Sequence, residues 1–121
     1  MTLKTTNNYL PYMKAYEKIT NIWSPYIMFK QRNLIKNNVV NTDKFGFRYT
    51  DDSGRYTILD DIKNKKNIDQ IAVIGNSTAF GVGASSDKKT IASLLCKKDK
   101  TKAYNLSLRT CNSFQELILF Q

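Results

Sequence analysis

Hydrophobic positions in this chain are sparse, and the way they recur changes from one segment to the next. Tyr9, Tyr12, Met13 and Tyr16 follow i, i+3, i+4, i+7, the spacing of an amphipathic helix. Ser24-Pro25 then marks a break or a fresh start. The aromatics of this stretch, from Tyr9 to Trp23, Tyr26 and Phe29, carry two readings: they pack residues 1–40 onto a main body, or they wall a substrate groove. Asn41 to Tyr49 reads as a turn followed by an extended aromatic stretch, with Gly46 supplying a positive φ. Asp51 to Gly54 is a second turn, Tyr56 to Leu59 a short strand, and Asp60 to Asp69 a polar surface segment.

The pattern tightens from residue 70 onward. Ile71-Ala72-Val73-Ile74 is a continuous apolar run closed by Gly75, which predicts a strand buried on both faces of a parallel sheet. Thr90 is a helix N-cap. The helix it opens carries Ile91, Leu94 and Leu95 as its apolar stripe, and Lys97 and Lys98 sit near its negative end. Ala103 to Leu106 is a second short strand. Ser113 and Glu116 have the spacing of a capping box, with Phe114, Leu117 and Ile118 as the stripe that follows. That last helix meets no stop signal before Gln121, which suggests a sequence cut short. Strand, helix, strand, helix is the front part of an open α/β sheet. Two strands alone leave bare edges, which carries a risk of self-association. The chain divides into an aromatic-rich arm, 1–40, and a partial α/β domain, 41–121.

Composition narrows the options. The chain has 121 residues, enough for one domain, and 41% hydrophobic residues, which makes for a modest core. The N-terminal residues are polar, with no apolar signal region, and the patch Ile22 to Phe29 is too short to span a bilayer. A cytoplasmic location is the default. Two cysteines, Cys96 and Cys111, and no histidine make neither a disulfide framework nor a zinc site. No metal and no cofactor are expected. The net charge of +9 is mostly lysine spread along the chain, and the dense run Lys63 to Asn67 contains no aromatic. A solvated loop fits that run better than a nucleic-acid site, so nucleic acid is disfavoured as a partner.

The glycine-rich loop Gly75 to Gly83 carries the candidate chemistry. It does not meet the phosphate-loop pattern G-x-x-x-x-G-K-S/T, because Lys88 stands where the second glycine belongs. It also lacks the third glycine of a dinucleotide loop. Ser77 follows a buried strand at the carboxyl end of the sheet, where open α/β folds place their sites. It is either a nucleophile beside backbone amides that hold an oxyanion, or a residue that caps a turn.

Val73-Ile74-Gly75-Asn76-Ser77-Thr78-Ala79-Phe80-Gly81-Val82-Gly83 resembles the first block of the SGNH hydrolases, the GDSL esterase/lipase superfamily. Asp43-Lys44-Phe45-Gly46-Phe47-Arg48 is similar to the N-x-x-G-F-R lead-in of many bacterial members. The stretch Tyr104 to Leu117 resembles the second block, N-x-G followed by an S-x-Q-E-L helix start. The resemblance covers residues 41–121, the N-terminal portion of such an enzyme. It implies the front part of a flavodoxin-like three-layer α/β/α parallel sheet. Ser77 would be the acyl nucleophile, the Ser77 and Ser107 backbone amides would be oxyanion donors, and Gly75, Asn76 and Asn105 would be supporting residues. The substrate it implies is an acyl ester, O-acetylated carbohydrate among the candidates.

The departures are specific. Asn76 replaces the family's Asp, and Ser107 its second-block glycine. The third block and the late D-x-x-H block have no counterpart, and the histidine count is zero. A serine without its base retains only residual catalysis, down by about 10⁴-fold or more. The chain as written is therefore expected to be a poor catalyst. Two other readings stand beside the esterase: a non-catalytic interaction module, and a basic domain binding anions or nucleic acid.

Overall fold

The computed structural model describes residues 10–52, 55–57, 69–96 and 101–121. In chain order the elements are α1 (Met13–Glu17), β1 (Asn21–Ser24), β2 (Met28–Gln31), β3 (Thr50–Asp52), β4 (Arg55–Thr57), β5 (Asp69–Val73), α2 (Ser77–Phe80), α3 (Ile91–Leu95), β6 (Thr101–Asn105) and α4 (Ser113–Phe120). A single 3₁₀ turn, Asp87–Lys89, precedes α3. The architecture is mixed α/β with small sheets. β1–β2 and β3–β4 are antiparallel pairs, and β5–β6 is a parallel pair.

Ile71 faces Ala103 and Val73 faces Asn105 across the parallel pair. On its other edge Asn105 bridges Arg48 in antiparallel sense, and the Thr50 hydroxyl donates to the Ala103 carbonyl at 2.9 Å. β6 is thus flanked on both sides. Two apolar clusters flank this arrangement. Tyr16, Ile19, Val40 and Phe80 form one, which joins the N-terminal segment to α2. Ala92, Cys96 and Ala103 form the other, with Val73 and Leu95 against it. Tyr16 packs residues 10–40 onto the rest of the chain, while Trp23, Tyr26 and Phe29 stay exposed.

Several expectations shift on contact with the structure. Ile71 to Ile74 is not buried on both faces: Ile71 is 37% exposed and only Val73 joins a core cluster. Among the described residues β5 has β6 as its sole strand partner, so one edge and one face lack cover. In α3 only Leu95 of the expected stripe packs against a core cluster. Ala92, Ser93 and Cys96 are buried, whereas Ile91 and Leu94 point outward. Small side chains let the helix lie close on β6, close enough for the Ala103 amide to donate to Cys96 Sγ at 3.2 Å. Thr90 does cap this helix, accepting from the Ser93 amide at 3.2 Å.

The capping box of α4 sits one residue earlier than expected. Asn112 is extended and accepts from the Gln115 amide at 3.0 Å, and Gln115 Oε1 accepts from the Asn112 amide at 2.9 Å. Ser113 becomes the first helical residue, and Phe114 and Leu117 are exposed. The expectations at Tyr9, Ser53-Gly54, Ile58 to Asn67 and Lys97-Lys98 lie outside the described residues. Among the described residues no helix is long and apolar enough to cross a membrane.

Candidate active site

The chain leaves β5 at Val73 and turns sharply through Ile74, Gly75 and Asn76 into α2. Gly75 has φ +155°, and a Cβ on it would lie 2.8 Å from the Ala79 Cβ, so glycine alone lets the first turn of α2 fold this close. Asn76 is the N-cap: its side-chain oxygen accepts from the Thr78 amide at 3.3 Å. An aspartate would make the same cap with a charge, so asparagine preserves the geometry and forgoes the electrostatic part. Ser77 is the first residue of α2 and half-buried. Its carbonyl accepts from Gly81 and Val82, at 3.1 and 2.9 Å. Among the described residues neither its amide nor its hydroxyl is engaged in a hydrogen bond.

The loop after β6 continues the pairing beyond the ends of the strands. Leu106 donates to Val73 at 2.9 Å and Leu108 to Gly75 at 3.0 Å, while the Ser107 hydroxyl donates to Val73 at 2.9 Å. Gly75, Asn76, Ser77, Asn105 and Ser107 are thereby drawn together. The Ser107 amide, however, donates to Asn105 Oδ1 at 3.2 Å, and the residue is fully buried. Asn105 Nδ2 donates in turn to the Ala79 and Phe80 carbonyls, both at 3.3 Å. Asn105 thus ties the end of α2 to β6, and its carboxamide holds the amide that the family resemblance assigns to the oxyanion.

The residue that organises the far side of this turn is Arg48, which is 2% exposed. Its Nε donates to Asp87 at 2.7 Å. One terminal nitrogen donates to the Gly81 carbonyl at 2.8 Å, the Tyr16 hydroxyl at 3.0 Å and the Phe80 carbonyl at 3.2 Å. The other donates to Val39 at 2.7 Å. Asp87 also accepts from the Asn41 side chain at 2.6 Å. The guanidinium lies 5.6 and 5.5 Å from the Tyr16 and Phe80 ring centres. Burial pushes the Tyr16 phenol up from its ordinary value, with Arg48 opposing the shift, so the hydroxyl keeps its proton and donates to Gly81 or Ala84.

No family model and no curated protein matches this chain.

Arg48, Asp87, Asn41 and Tyr16 are the site residues that sequence reasoning missed. Arg48 stood in the lead-in Phe45-Gly46-Phe47-Arg48 without a role, and Asp87 carried no reading. The signal available was the pairing of that arginine with an acidic residue three positions before the Thr90 cap. A charged side chain is by default a surface one, so composition alone points away from it.

Cys111 lies against the same turn, donating to the Gly75 carbonyl at 3.4 Å and standing 3.6 Å from Glu116 Oε1. Burial, with the Glu116 carboxylate adding to it, pushes the thiol up to about 11. At neutral pH it is a thiol and not a nucleophile. Alkylation of Cys111 by iodoacetamide at pH 8 is expected to run on the order of 10-fold or more slower than that of a free cysteine. Its rate should climb steadily toward pH 11, as followed by mass spectrometry. Because the folded pKa is raised, the contribution of this thiol to stability is full below the unfolded value and is lost between about pH 9 and 11.

Proposed function

We propose that Ser77 is the acyl nucleophile of an SGNH-type serine ester hydrolase, and that these residues are the nucleophile-bearing part of its flavodoxin-like sheet. The observation that carries this reading is an unengaged serine hydroxyl and amide at the first position of α2, directly after a parallel strand and a glycine that the turn requires. In the reaction Ser77 Oγ attacks the ester carbonyl, the Ser77 amide donates to the developing oxyanion, and the tetrahedral intermediate collapses by expelling the alcohol, leaving an acyl-enzyme that water then hydrolyses. A base must take the Ser77 proton and return it to the leaving alcohol. With no histidine in the sequence, that base and its orienting carboxylate come from outside these 121 residues. The Ser107 amide serves as second donor only when Asn105 Oδ1 releases it. An O-acetylated carbohydrate is the substrate class this reading favours.

A fluorophosphonate probe tests it. The chain alone should label slowly, about 10⁴-fold below a complete triad, and Ser77→Ala should remove the label. Labelling that persists in Ser77→Ala overturns the reading. The captured Ser107 amide and the absent histidine favour a second reading, a non-catalytic module that keeps the fold of an esterase and binds a partner. A complete lack of labelling in the wild-type chain decides for it.

A further inference from the structure

From Lys18 to Thr42 the chain contains no aspartate or glutamate, yet it carries Lys18, Lys30, Arg32 and Lys36. The β1–β2 hairpin lies inside this acid-free stretch and exposes apolar side chains at unusual density. Tyr26 is 87% exposed, Leu34 69%, Trp23 68%, Met28 59% and Phe29 49%. Trp23 and Phe29 are register partners, so their rings share one face of the hairpin. Scattered exposed hydrophobes need no explanation, but five of them on and beside one hairpin do.

The tip is also built against local preference. Ile27 donates to the Pro25 carbonyl at 2.7 Å and Phe29 to the Ile27 carbonyl at 2.9 Å, which closes two consecutive three-residue turns. Their central residues are Tyr26 at φ +65° and Met28 at φ +68°. Glycine or asparagine would take these left-handed positions at lower cost. A tip serving only to reverse the chain has no need of tyrosine and methionine there. The base of the hairpin is held firmly. Gln31 is fully buried, donating to the Gly46 and Ser107 carbonyls and accepting from the Arg109 amide. A firmly held base thus presents an apolar, aromatic tip on a stretch of chain whose charged side chains are all cations.

We propose that the β1–β2 hairpin is a membrane-docking element whose occupant is an anionic lipid surface. Tryptophan and tyrosine rings settle at the headgroup level of a bilayer, and lysine and arginine run their stems along apolar surface while their charged ends meet lipid phosphates. The absence of any acidic side chain over 25 positions is the complement such a surface requires, since each carboxylate would be repelled by it.

Trp23 is the only tryptophan in the chain, so its fluorescence reports on the hairpin directly. Vesicles of phosphatidylglycerol with phosphatidylcholine should shift Trp23 emission to the blue and carry the protein upward in flotation. Vesicles of phosphatidylcholine alone, or 0.5 M salt, should weaken binding about tenfold or more. The double variant Tyr26→Asp/Met28→Asp should lose binding by a similar factor and keep the wild-type thermal midpoint, because both side chains are exposed and aspartate tolerates the left-handed region. Trp23→Phe should still float. Three results overturn the proposal: no flotation with anionic vesicles, equal flotation of the double variant, or a blue shift that grows with protein concentration without lipid. The last would assign the hairpin to a second copy of the chain.

Discussion

Arg48→Ala is expected to lower the thermal midpoint by on the order of 10–20 °C, read by circular dichroism at 222 nm. The three guanidinium nitrogens reach five acceptors: Asp87, the Phe80, Gly81 and Val39 carbonyls, and the Tyr16 hydroxyl. Truncation leaves a carboxylate buried at 3% exposure with Asn41 as its remaining hydrogen-bond partner among the described residues, and strips a donor from three carbonyls. Removing one partner of a buried ion pair costs about 3–5 kcal/mol, a large share of the roughly 5–15 kcal/mol that holds a domain folded. Each kcal/mol corresponds to a few degrees at this size. Arg48→Lys should recover only part of the loss, since a single ammonium cannot replace a planar fork that spans Asp87 and Val39 at once. A midpoint unchanged in Arg48→Ala would show that the cluster contributes nothing to the fold.

Gly81→Ala should destabilise the chain by about 2–4 kcal/mol in urea titrations, while Gly83→Ala should cost only about 1 kcal/mol. Both glycines have left-handed φ, +88° and +93°, so both pay the same backbone penalty on substitution. They differ in their surroundings. A Cβ on Gly81 meets Thr90 Cγ2 at 2.7 Å and the Arg48 guanidinium at 3.1 Å, whereas one on Gly83 meets nothing within 4 Å. Thr90 cannot swing away without giving up its bonds to the Ser93 amide and the Asp87 carbonyl. Because the new methyl presses on Arg48, Gly81→Ala and Arg48→Ala should combine to less than their sum. Equal costs at the two glycines would show that the crowding at Gly81 is absent.

Local chemistry was legible in the sequence wherever neighbours decide it. The Thr90 cap, the short strand expected at Ala103 to Leu106 and found at Thr101–Asn105, the break at Ser24-Pro25 and the glycine turn before Ser77 all follow from side chains within a few positions of one another. Facing was less legible. Ile91 and Leu94 look like a core stripe, yet Ala92 and Cys96 pack on Ala103 of β6 and Ser93 is buried with its hydroxyl on the Asp87 carbonyl, because close approach to a strand favours small residues. The α4 cap was off by one residue because Asn112 and Ser113 are both good caps, and only the backbone conformation at Asn112 separates them. Around Ser77 the sequence indicated the turn but not its support. Arg48 reaches Asp87 across 39 positions, and no periodicity links them. The hydrogen bond that captures the Ser107 amide depends on the rotamer of Asn105, which residue types do not specify.

The ties that support Ser77 also set an order of events in folding. Tyr16 reaches Gly81 and Ala84 over 65 and 68 residues, Gln31 reaches Arg109 over 78, and Arg109 reaches the Ile19 carbonyl over 90. Each such closure gives up chain entropy before its contact returns any stability, and chains dominated by distant contacts fold slowly. Caps and turns therefore form early, while the bracing of the Ser77 turn waits until both ends of the chain have met.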